Sequence, residues 1–329
     1  MTAPVRILVV DDSALYRQTI QNVLRDLDGT RVVGIARNGV EALQKIEECN
    51  PDLLTLDVQM PDMDGIQVLH EIKRRQFPVS AIMVSSFTAH GAQVTTEALL
   101  EGAFDFILKP CGSDIVQNRQ QLRQSLIEKI SAFRDAKLPR RNRLCTTPWS
   151  VEQEQESLST STSTASCRAI VVGTSTGGPE ALKTVLPKLP ADLSVPVLVV
   201  QHMPPVYTTS LARRLDSSCP ISVAEGEDGM FADAGMVIIA PGGRQMGLRL
   251  EGHRLRVSVA DDPPENAVRP AVDYLLRSAN SVLDGDLLAV IMTGMGRDGQ
   301  QGCRLVKQTG GCVFAQSQCD CVVFGMPKA

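Results

Sequence analysis

The chain has 329 residues, which at roughly 150 residues per domain points to two domains, each long enough to bury a core. It is 43% hydrophobic and 21% charged with a formal net charge of −4, an ordinary globular composition without the basic footprint of a nucleic-acid binder. No apolar run approaches the ~18 residues of a membrane helix, MTAPVRILVVDD lacks the basic flank and long apolar stretch of a signal peptide, and nine scattered cysteines read as reduced thiols, so a cytoplasmic enzyme or regulator is expected.

Strands and helices alternate from the start. Val5–Val10 is a continuous apolar run of strand length, ending at Asp11-Asp12. Ser13 can cap a helix with Tyr16, Ile20, Val23, Leu24 and Leu27 on one face. A second strand is expected at 31–36, and Asn38 with Glu41 has the spacing of a capping box. A third strand is read at 53–58, then a turn-rich loop and a helix over 66–75. The fourth strand, 79–85, leads to a helix over 88–101 that Gly102 can end as its C′ residue. The fifth strand, 104–108, ends at Lys109-Pro110, and Leu122, Leu126, Ile127, Ile130 and Phe133 mark a last helix. Strands this uniformly apolar imply a parallel sheet covered on both faces.

Residues 139–166, PRRNRLCTTPWSVEQEQESLSTSTSTAS, break the pattern: a basic cluster, an acidic glutamine-rich patch, a serine/threonine tract. Such a segment cannot offset the entropy of ordering itself and reads as a linker. Its Trp149 is either a docking residue or a weakly packed linker aromatic. Alternation then resumes with strands at 169–172 and 196–201 and a helix at 179–186 between them. Segments 206–215, 221–225 and 235–240 follow as helix, strand, strand, and MGLRLEGHRLRVSV (246–259) as a β-hairpin. Val268, Val272, Leu275, Leu276, Ala279 and Val282 make a helix face, with buried strands at 287–292 and 312–315. The second half is thus another α/β domain with an antiparallel excursion.

Ligands of an open parallel sheet bind beyond the carboxyl ends of its strands. Asp11, Asp12 and Asp57 fall there in the first half, with Ser85 and Lys109. Three clustered carboxylates repel unless a cation neutralises them, and an oxygen-only set suits Mg²⁺. A carboxylate can also accept a phosphoryl group, with Mg²⁺ and a fixed ammonium on the phosphoryl oxygens. Asp11-Asp12, LLTLDVQMPDMDG around Asp57, Ser85-Ser86 and Lys109-Pro110 closely resemble the receiver domain of two-component response regulators over residues 5–133. The resemblance implies a flavodoxin-like (βα)5 fold with Asp57 as the phosphorylated residue. It further implies Mg²⁺ held by Asp11, Asp12, Asp57 and the carbonyl of Gln59, with Ser85, Phe106 and Lys109 supporting the phosphoryl site.

In the second half, RAIVVGTSTGGP places Ser175 in G-x-S-x-G at a strand-to-helix turn. On the motif alone a nucleophile elbow and a phosphate-binding turn are equally open. Of the four histidines, His70, His90 and His253 read as solvated surface residues. His202 ends the strand PVLVVQH, so a base and a hydroxyl lie at neighbouring strand ends. Asp298, in TGMGRDG after another buried strand, is the preferred acid over Asp261, Asp262 and Asp273, and Gly294-Met295-Gly296 can offer oxyanion amides. Cysteines 303, 312, 319 and 321 lack a CxxC and a nearby histidine, which speaks against zinc.

GTSTGGP, QHMP and TGMGRDG also resemble the chemotaxis receptor methylesterase domain (CheB family), and the order receiver, linker, esterase matches that family over nearly the whole chain. The resemblance implies a phosphorylation-activated hydrolase of glutamate methyl esters on chemoreceptors, also able to deamidate glutamines. Ser175 would be the nucleophile, His202 the general base and acid, Asp298 its orienting partner, with Met295 and Thr176 supporting the oxyanion and no cofactor in the esterase site. The implied partners are methylated chemoreceptors and a chemotaxis histidine kinase, with neither nucleic acid nor membrane insertion. The expected division is a receiver at 1–135, a linker at 136–166 and a doubly wound, mostly parallel catalytic domain at 167–329. Relatives are expected to continue past CVVFGMPKA, a strand and turn leading to a helix headed by Pro327, with a final helix that this sequence does not include. Two rivals stand beside this reading: a response regulator with a binding output, and a serine hydrolase acting on another protein or a small-molecule ester.

Overall fold

The computed structural model describes residues 3–112, 114–137 and 167–329. Residues 138–166, most of the expected linker with Trp149, lie outside them. The first half runs β1 (Val5–Val10), α1 (Ala14–Arg25), β2 (Thr30–Ala36), α2 (Gly39–Cys49), β3 (Leu53–Asp57), α3 (Gly65–Arg74), β4 (Ser80–Ser85), α4 (Ala89–Leu100), β5 (Asp105–Leu108) and α5 (Ile115–Lys137). The sheet order is β2-β1-β3-β4-β5 with every pairing parallel. β3 is buried along its whole length, as the apolar run required.

Local signals act as read, with one exception. Ser13 accepts from the amide of Tyr16 and caps α1, and Gly102, at φ +97°, follows α4. Asn38 caps α2 through the amide of Glu41, but the Glu41 carboxylate turns back to the amide of Arg37, not of Asn38. The complete capping box instead heads α3, between Asp64 and Gln67.

The second half runs β6 (Ala169–Thr174), α6 (Gly178–Val185), a 3₁₀ turn (Leu186–Lys188), β7 (Val197–Gln201), α7 (Tyr207–Asp216), β8 (Ser222–Glu225) and β9 (Met236–Ile239). The hairpin β10 (Gln245–Glu251) and β11 (Arg254–Ala260) follows, then α8 (Val272–Leu283), β12 (Leu287–Ile291), α9 (Gln300–Gln308) and β13 (Cys312–Ala315). The parallel sheet has the order β13-β12-β6-β7-β9-β8, and the hairpin stands apart. Connections leave β6 towards β7 on one side and return to β12 on the other, so β6 and β12 flank the topological switch point.

Two expectations are corrected, and one helix is added. Val268 lies outside α8, because it pairs with Glu265 and Pro270 intervenes before the helix; the residue before a proline is pushed out of the helical region. The helix α9 has no counterpart in the sequence reading, and it buries only Gly302 and Val306. The C-terminal CVVFG forms a single bridge, Phe324 to Gly294, followed by a turn, instead of a strand.

The halves are packed together. One core cluster runs from Leu8, Leu54 and Met83 to Leu182, Tyr207 and Leu211, with α4 against α6 and α7. Val323 joins the receiver-side cluster of Phe104, Leu126 and Phe133.

Candidate active site and phosphoryl-acceptor site

Asp57 closes β3 and Asp11 follows the adjacent β1. One ligand oxygen each from Asp11, Asp12 and Asp57 falls within 4.8 Å of the others. The Lys109 ammonium lies 2.9 Å from Asp11 Oδ2 and 2.7 Å from Asp57 Oδ2. The Asp57 carboxyl is raised to about 6: burial pushes it up, the Lys109 hydrogen bond pulls it down, and the Asp11 charge pushes it up. Three carboxylates against one ammonium leave an excess of negative charge among oxygen donors, which fits a hard divalent cation. The Gln59 amide lies 3.4 Å from Asp57 Oδ1. Among the described residues no other group of three or more His, Cys, Asp or Glu could hold a metal.

Ser85, fully buried at the end of β4, accepts from Thr95 Oγ1 at 2.7 Å. A second donor comes from the other half of the chain. The Tyr207 hydroxyl lies 3.1 Å from Ser85 Oγ and 3.2 Å from the Ser86 carbonyl. The Tyr207 ring stacks on Phe106, centroids 4.8 Å apart at 16°. Tyr207 thus sits on two of the residues read as supporting the phosphoryl site.

Ser175 follows β6, His202 follows β7, and Asp298 lies in the loop after β12. The elbow holds because Gly177 adopts φ +78°, where a Cβ would meet Val322 at 2.5 Å. Gly294 approaches so closely that a Cβ there would lie 2.8 Å from Ser175 Cβ. His202 Nε2 lies 2.8 Å from Asp298 Oδ2, and Nδ1 makes no hydrogen bond among the described residues. Ser175 Oγ makes no hydrogen bond among the described residues; nucleophile–base bonds often tighten only when substrate binds. His70, His90 and His253 are exposed, as expected.

Asp298 is pinned from all sides. Its Oδ2 also accepts from the Val272 amide at 2.7 Å. Its Oδ1 accepts from the amides of Asp273 and Gly299 and from Asn266 Nδ2. Burial works to raise the carboxyl, but the His202 hydrogen bond and charge and the backbone amides outweigh it and hold it below the usual carboxylate range. The Met295 amide, beside Gly294, donates to no group among the described residues. Thr176 is 4% exposed, and its hydroxyl donates to Asp105 Oδ2, which also takes Lys129 Nζ at 2.8 Å. A carboxylate of the first half is therefore bonded to the residue next to Ser175.

Four participants are absent from the sequence reading: Asp105, Gln201, Tyr207 and Asn266. Gln201 Nε2 donates to the Ser175 carbonyl at 3.0 Å while its Oε1 accepts from Thr174. A polar residue inside the buried strand PVLVVQH was the available signal for it. The contacts of Asp105 and Tyr207 cross between the halves at separations of 71 and 122 residues, beyond the reach of local patterns.

The CheB methylesterase family model matches residues 170–329 and the response regulator receiver domain model residues 7–121. A protein-glutamate methylesterase/protein-glutamine glutaminase of Desulfotalea psychrophila is 42% identical, covering 98% of this chain and 92% of the relative. One of Bacillus licheniformis is 44% identical over 99% of this chain and 92% of its own length. The crystal structure of the Thermotoga maritima CheB methylesterase catalytic domain is 45% identical over 50% of this chain and 86% of that one, with a TM-score of 0.49. With two curated relatives matched over 98% and 99% of this chain and a family model on each half, the chain belongs to the CheB family of receiver-linked methylesterases.

Proposed function

We propose that the chain demethylates glutamate methyl esters on chemoreceptors, and deamidates receptor glutamines, under control of phosphorylation at Asp57. The reading divides the chain into a receiver at 1–135, a linker at 136–166 and a catalytic domain at 167–329, and places the protein in the cytoplasm. The observation that carries it is the His202–Asp298 pair at 2.8 Å beside Ser175, at the switch point of the sheet. Ser175 Oγ attacks the ester carbonyl as His202 takes its proton; the imidazolium returns that proton to the departing methoxide, and methanol leaves. Water, deprotonated by His202, then cleaves the acyl-enzyme to the free glutamate and restores Ser175. Asp298 fixes the imidazole, and the Met295 amide, with support from Thr176, faces the developing oxyanion.

In the receiver, Asp11, Asp12, Asp57 and the Gln59 carbonyl would hold Mg²⁺. When bound, the ion neutralises phosphoryl oxygens during transfer from a histidine kinase or a small phosphodonor. Lys109 supplies the second positive charge, and Ser85 and Phe106 respond to the phosphoryl group. The contacts of Asp105 with Thr176 and of Tyr207 with Ser85 support a receiver that covers the serine site until Asp57 is phosphorylated. The test is methanol release from methylated receptor, with and without a small acyl phosphate and Mg²⁺. Release stimulated by the phosphodonor is expected; none under either condition would overturn the reading.

A further inference from the structure

Between β11 and α8 the chain makes a two-residue turn. Glu265 and Val268 exchange both backbone hydrogen bonds, at 3.1 and 2.9 Å. The two residues between them, Asn266 and Ala267, have φ of +52° and +62°, the mirror-image turn in which Asn is favoured first. Turn chemistry alone would explain the asparagine, but not where its side chain goes. Asn266 Nδ2 lies 2.8 Å from Asp298 Oδ1 and 2.9 Å from Asp273 Oδ2. The two carboxyl groups are 4% and 5% exposed. One neutral amide thus uses its two hydrogens on two buried carboxylates, one of which holds His202.

We propose that Asn266 is a positioning residue of the triad: its amide is the shared donor that lets Asp273 and Asp298 stand ionised side by side, with Asp298 Oδ2 turned to His202. Two buried carboxylates that share a site without a donor between them compete for a proton, and one ceases to be an anion. The groups facing the pair come from several elements. His202 follows β7; Arg277, on α8, is held by Glu265; Cys303 of α9 feels the Asp273 charge; and the Gly302 amide donates to Asp273 Oδ1. None of these bridges the two carboxylates. A protonated or rotated Asp298 no longer stabilises the imidazolium that forms as Ser175 attacks.

The inference rests on the esterase reading, so the test carries two substrates. The full chain, treated with a small acyl phosphate and Mg²⁺, is assayed for methanol release from methylated receptor and for acylation by p-nitrophenyl acetate. Gly and Asp both adopt the left-handed conformation, so N266G and N266D keep the turn. Loss of a charge-assisted hydrogen bond predicts about a tenfold fall in kcat for N266G, with KM changed less than about twofold. N266D, which adds a third carboxylate, is expected to fall further. In N266G the ¹³C carboxyl resonance of Asp298 should titrate at higher pH than in the parent. If Asn266 served only the turn, N266G would equal or exceed the parent in both assays with the Asp298 titration unmoved; that result overturns the proposal. A parent chain that acylates with the chromogenic ester but releases no methanol would refute the methylesterase reading, and the order of variants on the chromogenic ester would still decide the role of Asn266.

Discussion

Ser175, His202 and Asp298 could be singled out in the sequence because each stands just beyond a strand whose apolar run announces itself, and an α/β sheet gathers such positions at one edge. Substitution Ser175→Ala should lower turnover of methylated receptor by roughly 10⁴-fold or more, by comparison with other triads; methanol release measures it. Asn266 was not readable, since what matters there is a side-chain direction set by a turn, whereas Gln201 left only the signal of a polar residue inside a buried strand. In the receiver, the Asp57 carboxyl is lifted from 3.8 to about 6. A group with a raised folded pKa binds its proton more tightly when folded, so its stabilising contribution is full below about 3.8 and is lost as pH rises through about 6. The midpoint of thermal unfolding, taken relative to Asp57→Asn, should therefore fall between those values. Mg²⁺, which needs the ionised carboxylate, should raise the unfolding midpoint more at pH 7 than at pH 5. Equal Mg²⁺ shifts at both values would refute the assignment of Asp57 as a cation ligand.

At the scale of elements, the strands were legible to within a residue or two, because parallel strands covered on both faces are continuous apolar runs. The helix α9 was not, because its short amphipathic signal has too few apolar residues. The start of α7 shows what a correct element hides. Val206, exposed and β-branched, takes φ +73° immediately before Tyr207, a costly conformation for such a side chain. Four residues then separate the His202 imidazole from a ring stacked against Phe106. Tyr207→Phe keeps that ring and removes the hydroxyl from Ser85. One net hydrogen bond is worth about 1 kcal/mol, roughly fivefold in a docking equilibrium. The expected outcome is a higher rate of methanol release without phosphodonor and an unchanged rate with saturating phosphodonor. A basal rate equal to that of the parent would show that Tyr207 does not hold the receiver down.

For the whole molecule, the two-domain division was legible from length and from the break in patterning after α5, whereas the way the domains meet was not. Lys183 of the catalytic domain donates to the Leu100 carbonyl and to Glu101 at 2.8 and 2.9 Å, beside the bond between Asp105 and Thr176. These polar contacts are exchangeable with water at modest cost, which suits an interface meant to open. Removal of residues 1–137 should raise basal esterase activity, and an unchanged or lower rate would exclude a covering role for the receiver. The contact between Asp105 and Thr176 has a converse. If an open serine site and a phosphorylated Asp57 favour the same arrangement, linkage requires the influence to run both ways. An occupied esterase site must then bias the receiver towards the arrangement that a phosphorylated Asp57 favours. Substrate abundance would thereby shift the receiver's resting arrangement, making the substrate a modulator of the signal that controls its own turnover.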